Sequence, residues 1–468
     1  VGMQTNLTFT GLFTLLSILV YSQFQVIGLA PQFANESMYL WKYEDFLSGR
    51  LSLLQETTIS EDGVFKFNGQ TTGITKLVLG TEELKSYIYV QPKGNYKVEF
   101  ISENPQNQSY NLKEEIELTF FDLDSNDINF KILGFQAWLD NYISDIYFDK
   151  DFNPSLFSKK IGILKLALMK DAQTDTSSYF LDFMKYSVAS DVDNINFVGA
   201  PSEIEKYANY LETNPILYEH DYYMAYFETF YNQYIHRIEP ELSNSLFKAF
   251  AAGDLTRSDS LLSKDPYASV PELRSLIRIY ILKQALNDNF LPRSVILNNL
   301  KLISKESAYP IHRTIAQNIL AQIPIIQQGG TFLFETINGT NESIDLRTYK
   351  GKHIYIHAFN PSNTKAISEL SILKKLHATY GSTVEIITLY VDKENLNETE
   401  QRALKQVTWK KIGLKRENPI WNNLGILTFP YYILLDGDLN VIASPALTPS
   451  PNGKYETIEK TFFDLSKP

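Results

Sequence analysis

The stretch Thr428-Phe429-Pro430-Tyr431-Tyr432-Ile433-Leu434-Leu435-Asp436-Gly437-Asp438-Leu439-Asn440-Val441-Ile442 reads as a strand, an Asp-Gly turn and a second strand. Working backward from it, the chain alternates between two periods. Phe332 to Ile337 and Ser343 to Leu346 flank Asn338-Gly339-Thr340-Asn341 as an opening hairpin, and Tyr349-Lys350-Gly351-Lys352 introduces the apolar strand His353 to Phe359. A helix is predicted over Thr364 to Tyr380, with Ala366, Leu370, Leu373 and Leu376 at helical spacing and Ser362 or Asn363 placed to cap it. Val384 to Val391 reads as a buried parallel strand, and Glu398 to Lys411 as a second helix. Residues 329–468 therefore predict an α/β module.

The order and spacing of Asp345-Leu346, Lys350-Gly351-Lys352, Glu369 to Leu376 and Phe429-Pro430 before Ile433-Leu434-Leu435-Asp436 resemble the thioredoxin-like domain of envelope thiol-disulfide oxidoreductases. The resemblance implies a Cys-x-x-Cys pair at the start of the first helix. Ungapped counting from both flanking motifs lands on Asn363-Thr364-Lys365-Ala366, so Asn363 and Ala366 stand where the two thiols would be. An amide and a methyl cannot carry electrons, and the dithiol mechanism is lost. The resemblance further implies that Pro430 is a cis-proline and that the backbone of Phe429 pairs with an extended segment. Asn363, Ala366, Phe429 and Pro430 are thus the expected peptide-binding groove. An N-cap role for Asn363 and a purely structural corner at Pro430 are the plainer alternatives.

Upstream, residues 24–103 alternate short β-rich runs with turns. Thr57 to Ile59, Glu61-Asp62-Gly63 and Val64 to Phe67 make one hairpin; Ile88 to Val90, Pro92-Lys93-Gly94-Asn95 and Tyr96 to Phe100 make another. This predicts a β-sandwich, similar to a small β-domain of unknown function that commonly precedes the thioredoxin-like domain in envelope proteins. Residues 104–328 change to helical period, with runs over Ile132 to Tyr147, Ser155 to Met169, Glu203 to Leu211, Tyr222 to Ile238, Val270 to Leu286 and Arg313 to Ile323, punctuated by prolines and showing no fixed repeat. The Tyr222 to Ile238 run is aromatic on more than one stripe, which implies burial on several sides or a partner surface. His220, Glu228 and His236 on that segment are two turns apart, ~12 Å, too far to share a metal. His353 and His357 are ~13 Å apart on a strand and read as packed or surface residues.

Zero cysteines exclude disulfides, thiolate chemistry and Cys-ligated metals. A net charge of -11, with 54 acidic against 43 basic residues and no basic run, argues against nucleic acid. Phosphate-loop, nucleophile-elbow and His-Glu-x-x-His motifs are missing from the sequence. The apolar-rich Leu7 to Val20, followed by Tyr21-Ser22-Gln23, reads as an export signal over residues 1–23, although no Lys or Arg lies near Met3.

The reading is a multidomain α+β protein with an N-terminal β-sandwich, an all-α middle and a C-terminal α/β thioredoxin-like fold. The expected function is non-catalytic, with no cofactor and no metal: an exported cell-envelope protein, periplasmic or associated with the outer membrane, binding or scaffolding an envelope polypeptide or membrane-protein complex. Membrane association would run through that partner or an uncleaved N-terminal segment. A glycan-binding envelope protein, and an enzyme of non-thiol chemistry, are the alternatives.

Overall fold

The computed structural model describes residues 22–467 apart from 82–83, 101–113, 150–152, 172–176, 196–198, 289, 324–328, 333, 394–395, 427 and 452–455. The expected export signal lies outside the described residues except for Ser22 and Gln23, which begin the first strand. The boundaries expected near 103 and 328 also fall outside them. Among the described residues, no helix is long and apolar enough to cross a membrane.

Among the described residues, nine strands come first: β1 (Ser22–Leu29), β2 (Ser37–Tyr43), β3 (Leu51–Thr58), β4 (Val64–Thr71), β5 (Thr75–Gly80), β6 (Leu84–Val90), β7 (Asn95–Glu99), β8 (Glu114–Glu115) and β9 (Thr119–Phe121). They form two sheets, ordered β4-β1-β7-β9 and β3-β2-β5-β6-β8. Inward-facing alternate residues meet between the sheets: Phe24, Val26, Phe65, Phe67 and Val98 from one, Met38, Leu40, Leu77, Leu79 and Ile88 from the other. A two-sheet sandwich is the way such half-apolar strands hide their apolar faces. The alternation breaks in the middle of the second sheet. Met38, Tyr39, Leu40 and Trp41 of β2, Leu77, Val78 and Leu79 of β5, and Ile88, Tyr89 and Val90 of β6 are all buried, so these stretches are covered on both faces.

Eleven α-helices follow among the described residues: α1 (Ile128–Tyr147), α2 (Pro154–Asp171), α3 (Ser178–Asp191), α4 (Glu203–Tyr207), α5 (Asp221–Phe230), α6 (Tyr234–Arg237), α7 (Pro240–Ala252), α8 (Leu255–Leu262), α9 (Pro271–Asp288), α10 (Arg293–Glu306) and α11 (Pro310–Gln322). The single helix expected over Tyr222 to Ile238 is two, parted at Gln233 in the left-handed region (φ 52°). Apart from the half-buried Tyr222, the aromatic residues on its several stripes are buried, and the break lets the Tyr231 hydroxyl donate to the Tyr267 carbonyl and the Tyr234 hydroxyl to Asp265 Oδ1, both at 2.6 Å. The sandwich is tied to this region through the buried Asp221 carboxylate, which accepts from Lys76 Nζ (2.8 Å), the Tyr89 hydroxyl (2.6 Å) and the Tyr179 hydroxyl (2.9 Å).

The last module has strands β10 (Thr336–Asn338), β11 (Ser343–Asp345), β12 (His353–Phe359), β13 (Val384–Val391), β14 (Lys410–Leu414), β15 (Tyr431–Leu435) and β16 (Val441–Ala443), with helices α12 (Thr364–Tyr380), α13 (Glu398–Gln406), α14 (Ile420–Asn423) and α15 (Ile458–Leu465). Its five-stranded sheet runs β14-β13-β12-β15-β16, with β12, β13 and β14 parallel and β15 and β16 antiparallel. Successive residues of β12 serve opposite cores: Ile354, Ile356 and Ala358 face Trp421 and Phe429, while Tyr355 and Phe359 face α12 and α15. The helix expected to reach Lys411 stops at Gln406, and Lys410–Leu414 is the edge strand. Trp409 and Ile412 are buried in different cores on the two sheet faces, an arrangement that a strand satisfies.

Candidate functional site

Strand β12 ends in the turn Asn360-Pro361-Ser362-Asn363, which delivers the chain to the first turn of α12. Asn363 N donates to the Asn360 carbonyl (2.9 Å), and Ser362 N to Asn360 Oδ1 (3.1 Å). Asn363 is the N-cap: its Oδ1 accepts from Ala366 N at 2.9 Å, satisfying one donor that a helix start leaves open. The other half of the same amide points across the sheet. Asn363 Nδ2 donates to the Phe429 carbonyl at 3.2 Å, and the Phe429-Pro430 bond is cis.

All four residues expected at the site are therefore brought together, but their surface is closed. Asn363 and Phe429 are each 5% exposed and Ala366 is fully buried, with Pro430 half-buried. The Phe429 carbonyl that an extended segment would use already accepts from Asn363. Side chains from the N-terminal sandwich complete the cover. The Tyr39 hydroxyl of β2 accepts from Asn360 Nδ2 at 2.8 Å in a buried hydrogen bond. The Arg416 guanidinium lies 5.3 Å from the Tyr39 ring and 5.2 Å from the Phe429 ring, cation–π distances to both. Tyr39 in turn stacks on Trp41 at 5.1 Å.

Beside this stack, Lys393 joins three parts of the chain. Its Nζ donates to Glu56 Oε1 (2.7 Å) and Ser37 Oγ (3.1 Å) of the sandwich, and to Ser362 Oγ (2.7 Å) at the start of α12. Glu400 of α13 lies 3.6 Å from the same ammonium and accepts from Ser362. The resemblance pointed to residues 363, 366, 429 and 430 only; Tyr39, Asn360, Lys393, Glu400 and Arg416 come from segments far apart in the chain.

The aromatic face beneath α12 is packed. His357 stacks between Phe359 and Tyr432 at 5.0 and 5.3 Å, and its Nδ1 is 3.3 Å from Thr388 Oγ1. Burial pushes its imidazole down to about 3, so it is neutral, and among the described residues its Nε2 has no hydrogen-bond partner. His353 is only half-buried at the other end of β12. Among the described residues, no group of three or more acidic or histidine side chains could hold a metal ion.

Parallel β12-β13-β14 beside antiparallel β15-β16, with the first helix capped opposite a cis-proline, define the last module as a thioredoxin-like fold without its redox pair. Solved structures similar to this chain include the thioredoxin domain of a thiol-disulfide oxidoreductase from Bacteroides vulgatus, which shares 19% identity over 26% of this chain and 89% of its own, with a TM-score of 0.23. A thiol:disulfide interchange protein from a Bacteroides species shares 20% over 25% and 81%, with a TM-score of 0.22. A thioredoxin-like protein from Bacteroides caccae shares 12% over 56% and 92%, with a TM-score of 0.30. No family model matches the sequence, and no curated protein does.

Proposed function

We propose that this is a non-catalytic, exported cell-envelope protein whose redox-inactive thioredoxin-like module serves as a scaffold, and that it holds a polypeptide partner. The observation that carries the reading is the double use of Asn363: a sulfur-free side chain caps α12 and also occupies the Phe429 carbonyl, while Tyr39 and Arg416 cover both. A groove built to take an extended segment has become a docking surface for the chain's own sandwich. The partner then meets an outward face, and α1 and α2 supply one: Phe130, Leu133 and Trp138, and Ile163 and Leu166, project away from their shared core at helical spacing.

Two measurements test this. Insulin reduction should show no turnover above buffer, and turnover that depends on residues 329–468 would defeat the non-redox reading. Cross-linking of the native envelope should capture a polypeptide with the wild-type protein and lose it with Trp138→Asp plus Leu166→Asp; undiminished capture by that variant would move the partner surface elsewhere.

A further inference from the structure

We infer that the outer face of the first sheet carries a binding site for a neutral carbohydrate. Strand β1 alternates, with Phe24 and Val26 turned into the sandwich and Gln23 and Gln25 turned out. The register sets Gln25 opposite Asn68 on β4 and opposite Asn95 on β7, and Gln23 opposite Gln70, so five amides form a two-row array across three strands. With Lys93 they line an open cleft of about 550 Å³, a size in the range of small-molecule sites. In a chain with 54 acidic residues, no carboxylate among the described residues lines it.

The chemistry of that lining selects the ligand. Each amide offers an acceptor oxygen beside a donor nitrogen, the complement of a hydroxyl, which both donates and accepts. Gln25 Nε2 donates to Asn68 Oδ1 at 2.8 Å, which leaves Gln25 Oε1 and Asn68 Nδ2 without a partner among the described residues and holds the two side chains in place. The cleft wall is equally fixed. Lys93 adopts a left-handed conformation (φ 66°) that a lysine takes at a cost, kept there because its N–H donates to the Gln23 carbonyl (2.9 Å) while Gln25 N donates to the Gly94 carbonyl (2.9 Å).

An extended peptide is a poorer fit. Strand β1 is paired on both edges, by β4 and β7, so no main-chain groups are left for strand addition. A polyanion would need more than one cation. The side chains lining the cleft include no exposed aromatic ring to stack on a sugar, so binding rests on hydrogen bonds and should be weak, with Kd of about 1 mM.

Affinity electrophoresis of the full chain in native gels containing amylopectin, mixed-linkage β-glucan, galactomannan or the polyanion heparin tests the site. Retardation by at least one neutral polysaccharide is expected, with apparent affinity falling at least tenfold in Gln25→Ala plus Asn68→Ala at an unchanged melting temperature. Gln25→Glu, which keeps the size and adds a charge, should lose retardation as well. No retardation by any of the three neutral polysaccharides, equal retardation of the double variant, or stronger retardation by heparin would overturn the inference. These residues lie apart from Trp138 and Leu166, so the scaffold reading is tested separately.

Discussion

A single thiol introduced at Asn363 reports directly on whether the site is open, because the chain has no other cysteine. Asn363→Cys removes an N-cap, worth about 1 kcal/mol, and the bond to the Phe429 carbonyl, worth about 1 kcal/mol more. Urea unfolding should therefore show a loss of about 2 kcal/mol. The informative measurement is the rate at which the native thiol reacts with a disulfide reagent. At an open helix N-terminus the thiol would ionise readily and react faster than a free one. Here it must wait for the sandwich to move away. Opening breaks the buried Tyr39–Asn360 hydrogen bond, the part-exposed Lys393 contacts and the Arg416 stack. Discounted for solvent at Lys393, these sum to about 3 kcal/mol. That corresponds to a reaction roughly a hundredfold slower than in the urea-unfolded chain. Glu398→Cys, at the exposed start of α13, is the control and should react quickly. An Asn363→Cys thiol that reacted as fast in the folded chain as in the unfolded one would refute the closed site.

Three further outcomes follow from the same geometry. Lys393→Met should destabilise the chain by roughly 2 kcal/mol, and a double-mutant cycle with Glu56→Gln should give a coupling of about 1 kcal/mol; independence of the two would mean the Lys393–Glu56 pair contributes nothing. His312 donates to or accepts from the Tyr218 hydroxyl (2.7 Å) and Ser275 Oγ (3.0 Å), and burial together with the Arg278 charge pushes it down to about 4. Its folded value lies below the unfolded one, so stability is complete above about pH 6.5 and is lost as pH falls toward 4, by about 3 kcal/mol, a slope that His312→Gln should flatten in urea titrations at several pH values. Gly63→Ala should cost roughly 2–3 kcal/mol by urea midpoint, since Gly63, in the β3–β4 turn, has φ 79° and an added Cβ would sit 2.6 Å from Cα of Pro31, which follows β1.

The parts of the site legible in the sequence are the local ones. Asn363 could be placed as an N-cap because capping is written in the residues next to the helix, whereas Pro430 was set opposite it only by what the resemblance to thioredoxin-like domains implies. The edge strand Lys410–Leu414 was obscured because the charged Glu398 to Lys411 run fits helical period almost to its end. The alternation that reveals it, from Trp409 through Ile412 to Leu414, is only a few residues long. The break at Gln233 had no glycine or proline to mark it. Closure of the site by Tyr39 is a contact 321 positions apart in sequence, beyond any periodicity. One trace of it was present: Met38-Tyr39-Leu40-Trp41 is apolar at every position, as is Leu77-Val78-Leu79 on the neighbouring strand, which signals strands with no free face.

The Tyr39–Arg416–Phe429 stack has a consequence for synthesis. Ribosomes deliver the sandwich long before Lys393, Arg416 and Phe429 exist, so until the final segment arrives Tyr39, and the Trp41 ring stacked on it, lack the Asn360 and Arg416 side chains that lie against Tyr39. A product released prematurely would display these rings as an adhesive patch, marking it for chaperones or proteases and making full-length translation a condition for a quiescent molecule.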